Sequence, residues 1–302
     1  MFSAIPWLAV PIAGCSFLAD LDFPGGSGPQ PPPGDEDSGN PLWDGAGVDG
    51  FDAADAPPVD TGGDTLGDAT PNKDATPTGP RYAEEVRADS PVGYWRLGDR
   101  SGTPAKDEIN ANPGAYENGI SFGVPGVVSN DTAVRFDGAF GSRVRIGDVF
   151  EFSDKSHCTL EVWAKWDGGR GYVIAKKSVI DGKGTGYSLY VSPMVNNQSL
   201  WIYSRKLGDV SESVSYAAAA STKFAHVAAT FDGTKGRIFF NGSEVKSANF
   251  SLSMISTDGT LSFGSNSGGD DAFEGSLDEI AIYDHALSPE RIRAHFNAAN
   301  SK

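Results

Sequence analysis

From Tyr82 onward the sequence is a succession of short β-forming runs, each closed by Gly, Asn or Asp. That rhythm confines the folded part of the chain to an antiparallel all-β body. In "TLEVWAKW" (159–166), Val162, Ala164 and Trp166 alternate with Glu161, Trp163 and Lys165. The runs "GYSLYVSP" (186–193), "SLWIYSR" (199–205), "HVAATF" (226–231), "RIFFNG" (237–242) and "TLSFGS" (260–265) have the same length and the same β formers. Asn241-Gly242 marks a hairpin, because a two-residue type I′ turn needs positive φ at both central positions, and Asp232-Gly233 marks a second turn. Evenly spaced strands of this kind close into a sandwich or a barrel. A helical signature is read at "SPERIRAHFNAA" (288–299) alone. There Ser288 caps, Pro289 takes the first helical position, Glu290 faces the positive end, and Ile292 and Phe296 share a face.

The acidity of the chain lies elsewhere. Of the 302 residues, positions 20–80 hold 13 of the 40 acidic residues, a single base (Lys73) and 11 of the 19 prolines. Apolar side chains are too sparse there to offset the entropy of ordering the backbone, so a disordered linker is expected over residues 15–80. Sixty residues of flexible coil reach roughly 40–45 Å, and Pro and like charges extend this one further. The Asp-Gly repeats in "DGAGVDGFDAADA" (44–56) lack the EF-hand spacing and its closing Glu, which leaves a solvated spacer. With no basic stripe in the sequence, no nucleic-acid partner is expected.

The start, "MFSAIPWLAVPIAGCSF", has no charge before Asp20 and is apolar from Ala4 to Ala13. That run is too short for a membrane-spanning helix and has the character of an export signal over residues 1–14. Ile12-Ala13-Gly14-Cys15 resembles the lipobox of bacterial lipoproteins, although no Lys or Arg precedes it. The resemblance implies cleavage before Cys15, lipidation of Cys15, and, with Ser16 following, a place at the outer membrane or cell surface of the bacterial envelope. Contact with the membrane would then be through the lipid anchor only. An ordinary apolar N-terminus with a chance cysteine is the competing reading.

Residues 81–302 resemble the LamG-like (laminin G type) domains of the concanavalin A-like lectin/glucanase superfamily. The matching stretches stand in the family's order: "PVGYWRLGDRSGTPAKDEINANPGAY", "AVRFDGAFGSRVRI", "CTLEVWAKW", "FAHVAATFDGTKGRIFFNG" and "GSLDEIAIYDHALSPERIRAHF". The resemblance implies a jelly-roll sandwich of 12 to 14 strands in two antiparallel sheets. It also makes His226 a structural histidine.

Within "GSLDEIAIYDHALS", Asp278 and Glu279 interrupt an apolar strand. Strict alternation gives Asp278 the parity of Ile280 and Ile282, and Glu279 that of Leu277, Ala281 and Tyr283. On that reading the two carboxylates face opposite ways. An ionised Asp on a core-facing row needs a partner or a metal. If first and last strands are neighbours, the 94–107 region comes near 277–283. The resemblance then implies a structural calcium held by Asp137, Asp278 and Asp107, with Asp99 in reserve; the alternative is an Asp278 that accepts backbone hydrogen bonds.

No Glu-x-Asp-x-x-Glu strand of the glucanase type is present, and none of His157, His226, His285 and His295 stands in a metal-binding pattern. The chain is therefore read as non-enzymatic. Cys158 occupies the place of a core Phe in the family and reads as a small buried hydrophobe. Trp201 and Tyr203 share a strand face and are candidates for a sugar-stacking platform, with core packing as the alternative. Asp270 and Asp271 lie in the polar loop "SNSGGDDAFEG" and are further candidate ligand residues. The expected function is a surface-anchored, non-catalytic module that binds a glycan or an extracellular or envelope protein. The alternatives are an envelope structural or adhesion protein and a divergent glycoside hydrolase.

Overall fold

The computed structural model describes residues 81–301, apart from residues 103, 110, 181 and 182. The expectations for the signal segment, Cys15 and the 15–80 linker lie outside the described residues. In chain order the elements are α1 Arg81–Ala88, β1 Gly93–Trp95, β2 Ala115–Glu117, β3 Ile120–Pro125, β4 Thr132–Asp137, β5 Arg143–Gly147, β6 Cys158–Gly168, β7 Gly171–Ile180 and β8 Lys183–Met194. They continue with β9 Gln198–Leu207, β10 Val210–Ala219, β11 Ala225–Phe231, β12 Lys235–Phe240, β13 Ser243–Asn249, β14 Leu261–Phe263, β15 Glu274–Tyr283 and α2 Pro289–Asn300.

The strands form two antiparallel sheets, the jelly-roll sandwich that the β rhythm and the family resemblance imply. One is eight-stranded, in the order β13-β12-β11-β6-β15-β4-β3, with β1 on the flank of β15; the other is seven-stranded, in the order β10-β9-β8-β7-β14-β5-β2. The strand count among the described residues is slightly above the expected range because three-residue strands such as β1, β2 and β14 are included. The hairpin at Asn241-Gly242 has φ of 51° and 76°, as its turn type requires.

Two apolar layers hold the molecule together. Between the sheets lie Trp95, Phe136, Leu160, Val162, Trp201, Tyr203, Phe231, Phe263, Ile280 and Ile282. On the outer face of the eight-stranded sheet, Tyr94, Trp163, Phe239, Ala281 and Tyr283 pack against Tyr82, Ala83 and Val86 of α1 and Ile292 of α2. Central strands such as β6 are therefore buried on both faces. Fully burying a large aliphatic side chain stabilises by about 1.5–3 kcal/mol, so Ile280 and Ile282 fix the register of β15 strongly.

The C-terminal helix forms as expected, with the Ser288 hydroxyl accepting from Arg291 N. Helix α1 is a correction to the expectation of a single helix. Eight residues cannot nucleate alone in water; α1 exists because its Tyr82/Ala83/Val86 stripe is covered by the sheet. Among the described residues no helix is long and apolar enough to cross a membrane.

Candidate functional site

Strand β15 changes partner along one edge. From Glu274 to Leu277 it pairs with β4, and from Ile280 to Ile282 with β1, in the register Trp95↔Ile280, Tyr94↔Ala281 and Gly93↔Ile282. First and last strands are thus neighbours, as expected. Asp278 and Glu279 sit at the handover, and on the other edge the pairing with β6 slips between Asp278 and Ala281. Glu279 has φ of +52°, a left-handed conformation that costs a non-glycine residue about 1–2 kcal/mol. This is a β-bulge: two residues occupy the space of one, and the pleat is reset.

The bulge overturns the alternation argument. Leu277, Ile280 and Ile282 all face the inter-sheet core, whereas Ala281 and Tyr283 face the helices. Asp278 and Glu279 do not point to opposite faces. Together with Asp131 they each place an oxygen within 4.8 Å of the other two.

Asp278 and Glu279 are both fully buried. Asp278 Oδ2 accepts from Val127 N at 2.8 Å, and Asp278 Oδ1 has no hydrogen-bond partner among the described residues. Gly126 permits this approach, since a Cβ there would stand 2.8 Å from Asp278 Oδ2 and 3.2 Å from the Asp131 backbone. Arg96 Nε donates to Glu279 Oε1 at 3.1 Å, and its Nη2 donates to Asp131 Oδ2. The Tyr94 hydroxyl donates to Glu279 Oε2.

Burial pushes the Asp278 carboxyl well above the usual carboxylate range, and the charge of Glu279 adds to the shift. Burial likewise pushes Glu279 up to about 7, against the opposing pull of Arg96 and the Tyr94 hydroxyl. Carboxylates of this kind can serve a glycosidase only when a sugar can stand between them. Asp278 and Glu279 are 0% exposed, which bars a glycosidic bond from reaching them.

The donor set matches a hard divalent cation. Calcium takes oxygen ligands at about 2.3–2.6 Å, which places ligand atoms within about 5 Å of one another. The three carboxylates meet that spacing, and Asp278 Oδ1 is a buried acceptor with nothing to accept from. The three carboxylates that meet differ from the expected Asp137, Asp278 and Asp107 at two positions. Asp107 spends its carboxylate on four backbone amides, those of Tyr94, Ile109, Ala111 and Asn112, at 2.9–3.2 Å, and so closes its own loop. Asp137 is exposed and accepts from Ala139 N, away from the group. Asp99 accepts from the Tyr116 hydroxyl. Asp131, Arg96 and Tyr94 were missed because nothing in their local sequence shows that they fill a gap beside β15.

The stacking platform is also corrected. Trp201 and Tyr203 are 2% and 0% exposed and face the other sheet. Trp201 donates to Ser199 Oγ at 3.0 Å, and Tyr203 lies 3.6 Å from the Cys158 sulfur and stacks on Phe250. Cys158 is buried, as its sequence position implies. Alternation then puts Leu200, Ile202 and Ser204 of β9 on the outward face.

The aromatic pair on that face is Tyr172 and Tyr190, opposite each other on β7 and β8 with ring centroids 4.8 Å apart. Lys177 Nζ donates to the Tyr172 hydroxyl at 2.8 Å and lies over its ring. Ser188 and Ser204 share a 3.0 Å hydroxyl contact further along. Of the two loop aspartates, Asp271 pairs with Arg170 at 3.3 Å beside this tyrosine pair, and Asp270 is exposed.

Two antiparallel sheets face to face, with helices on the outer face of one of them, define a jelly-roll sandwich of the concanavalin A-like class. A sequence model of the Laminin_G_3 family, concanavalin A-like lectin/glucanases superfamily, matches residues 137–293, just over half of the chain. The chain belongs to that family. Among solved structures it is similar to the binding domain of Paraclostridial Mosquitocidal Protein 1, at 16% identity and TM-score 0.50 over 67% of this chain and 51% of that one. It is similar to the botulinum neurotoxin serotype G binding domain, at 12% identity and TM-score 0.53 over 68% of this chain and 50% of that one. It is also similar to Trypanosoma rangeli sialidase, at 13% identity and TM-score 0.51 over 72% of this chain and 37% of the enzyme. The match thus spans about half the length of the first two and less of the third, and at these identities it is the fold that is shared. No curated protein matches the sequence.

Proposed function

We propose that this chain is a surface-anchored, non-catalytic recognition module for a glycan or an envelope protein, with a structural calcium ion beside β15. The observation that carries the reading is the outward face of the seven-stranded sheet. There the half-buried Tyr172 and Tyr190 offer aromatic surface, Ser204 offers a hydroxyl, and Lys177 and Arg170 offer charge. Such a mixture suits a sugar ring, whose apolar face stacks while its hydroxyls find donors and acceptors. Binding domains with this fold in other proteins, such as the two toxin binding domains above, support a recognition role. The lipobox resemblance at Cys15 and the long acidic spacer support tethering at the bacterial envelope.

Asp131, Asp278 and Glu279 would hold the calcium ion. Once bound, it would supply positive charge where burial otherwise disfavours ionised carboxylates. A glycan array probed with wild-type protein and with the Tyr172→Ala/Tyr190→Ala variant tests the binding face. Specific hits that weaken at least tenfold in the variant support it; a clean array leaves the structural or adhesion reading. Calorimetric titration of calcium into chelator-treated protein tests the ion, and the absence of both heat and a melting shift removes it.

A further inference from the structure

Arg96 lies among the three carboxylates in a position that a divalent ion would contest. Its guanidinium is held on one side by Asp131 and on the other by Glu279, whose own second oxygen is held by Tyr94. The side chain is 25% exposed, so it is anchored at the mouth of the group and not within the core. Behind it lies a cleft of about 200 Å³ lined by Arg96, Leu97, Gly98, Asp99, Lys106, Glu108 and Asp131. That cleft gives the guanidinium an alternative place, with Glu108 and Asp99 as acidic neighbours. Glu108 is at present shared by Arg87 at 2.6 Å and Lys106 at 3.0 Å.

We propose that Arg96 is an internal counter-cation, which competes with a divalent metal ion for Asp131 and Glu279 and swings into the adjacent cleft when the ion binds. The inference rests on the calcium reading above. Two cations cannot share the same two carboxylates at contact distance without strong mutual repulsion. Each therefore raises the free energy of the other, and by linkage the penalty is the same in both directions. The metal-free fold is held by Arg96, and the metal-bound fold by the ion. In an Arg96→Gln variant the Asp131–Asp278–Glu279 group would lose its cationic partner, carry more net negative charge and bind the ion more tightly.

The test is calorimetric titration of calcium chloride into the chelator-treated full chain as wild type, Arg96→Gln and Arg96→Lys, with thermal melts of each. Arg96→Gln is expected to melt below wild type without calcium and to bind calcium at least tenfold more tightly. Its melting temperature should then rise further with saturating calcium than that of wild type. Arg96→Lys keeps the charge and loses the fork, and should fall between them. Calcium bound by Arg96→Gln but not by wild type is the extreme form of the same result. Equal or weaker binding by Arg96→Gln, with calcium still bound by wild type, overturns the competition and leaves the calcium reading standing. Binding by none of the three overturns the calcium reading and the competition with it. Should Arg96→Gln fail to fold, nitrogen-15 spectra of wild type decide. The Arg96 Nε–H signal must shift and exchange faster with solvent when calcium is added, and an unchanged signal overturns the proposal.

Discussion

Removing one proton site from the helix-facing layer should loosen both helices at once. His295 of α2 is fully buried, and its two ring nitrogens face two different carboxylates. Nδ1 lies 3.0 Å from both oxygens of Glu161, and Nε2 lies 2.9 Å from Asp89 Oδ2. A neutral imidazole has one N–H and can satisfy only one of them, so the geometry assigns the imidazolium. Glu161 is itself 0% exposed and also meets His226 Nε2 at 2.6 Å, the Tyr283 hydroxyl at 3.0 Å and the Tyr82 hydroxyl at 3.4 Å. On the outer side Arg291 binds Asp89 and Glu85. The chain Asp89–His295–Glu161–His226 thus ties α1, α2, β6 and β11 together.

Breaking a buried ion pair by removing one partner costs about 3–5 kcal/mol. His295→Gln should therefore lower stability by about that amount; for a domain of this size, roughly 2–4 °C per kcal/mol, the melting temperature should fall by about 10 °C. Urea unfolding followed by tryptophan fluorescence measures it, because Trp163 stacks on Phe296 of α2 at 5.7 Å. Glu161→Gln in the His295→Gln background should cost less than it does alone, and the cycle should show coupling of about 1–3 kcal/mol.

The pH profile adds a signed check. Although burial opposes it, Glu161 and Asp89 hold the His295 pKa above the usual histidine value. Its contribution is complete below the unfolded value of about 6.5 and is lost as pH rises through the raised folded value. The Glu161 carboxyl is held low by His295 and His226 against its burial. Its contribution is present above about 4.5 and fades only as pH falls through the depressed folded value. The network is therefore strongest between about pH 4.5 and 6.5. A His295→Gln variant within 1 kcal/mol of wild type, with the same slope above pH 7, would refute the bridging imidazolium.

The metal-free protein should lose stability as pH rises from about 4.5 toward about 7, because Glu279 and Asp278 bind protons more tightly when folded. Asp278→Asn should flatten that decline in melts at pH 5 and pH 8, and should abolish any calcium shift. Asp107→Ala leaves four backbone amides without their acceptor and should cost about 2–4 kcal/mol in urea unfolding. Calcium affinity in calorimetry should change less than threefold, which separates Asp107 from the ligand group. Gly126→Ala drives a methyl group to 2.8 Å from Asp278 Oδ2 and should weaken calcium binding at least tenfold while lowering the melting temperature by only a few degrees.

Local rules carried the reading of this chain as far as local geometry reaches. Strand alternation and turn chemistry act between neighbours, so the all-β class, the Asn241-Gly242 hairpin and the capped C-terminal helix were legible from residues alone, whereas the burial of Cys158 was implied by the family resemblance. Alternation placed Trp201 and Tyr203 on one face of β9. Only the stacking of the second sheet decided that this face is the inside. Helix α1 is too short to show itself before the sheet covers its apolar stripe. The bulge that follows Asp278 arises where β15 passes from β4 to β1, a meeting of segments about 140 to 190 residues apart in sequence. A parity argument assumes an unbroken pleat, and the pairing that breaks it exists only in three dimensions. For that reason the sequence pointed to Asp278 as an anomaly, while the tertiary structure chose Asp131, Glu279 and Arg96 as its company.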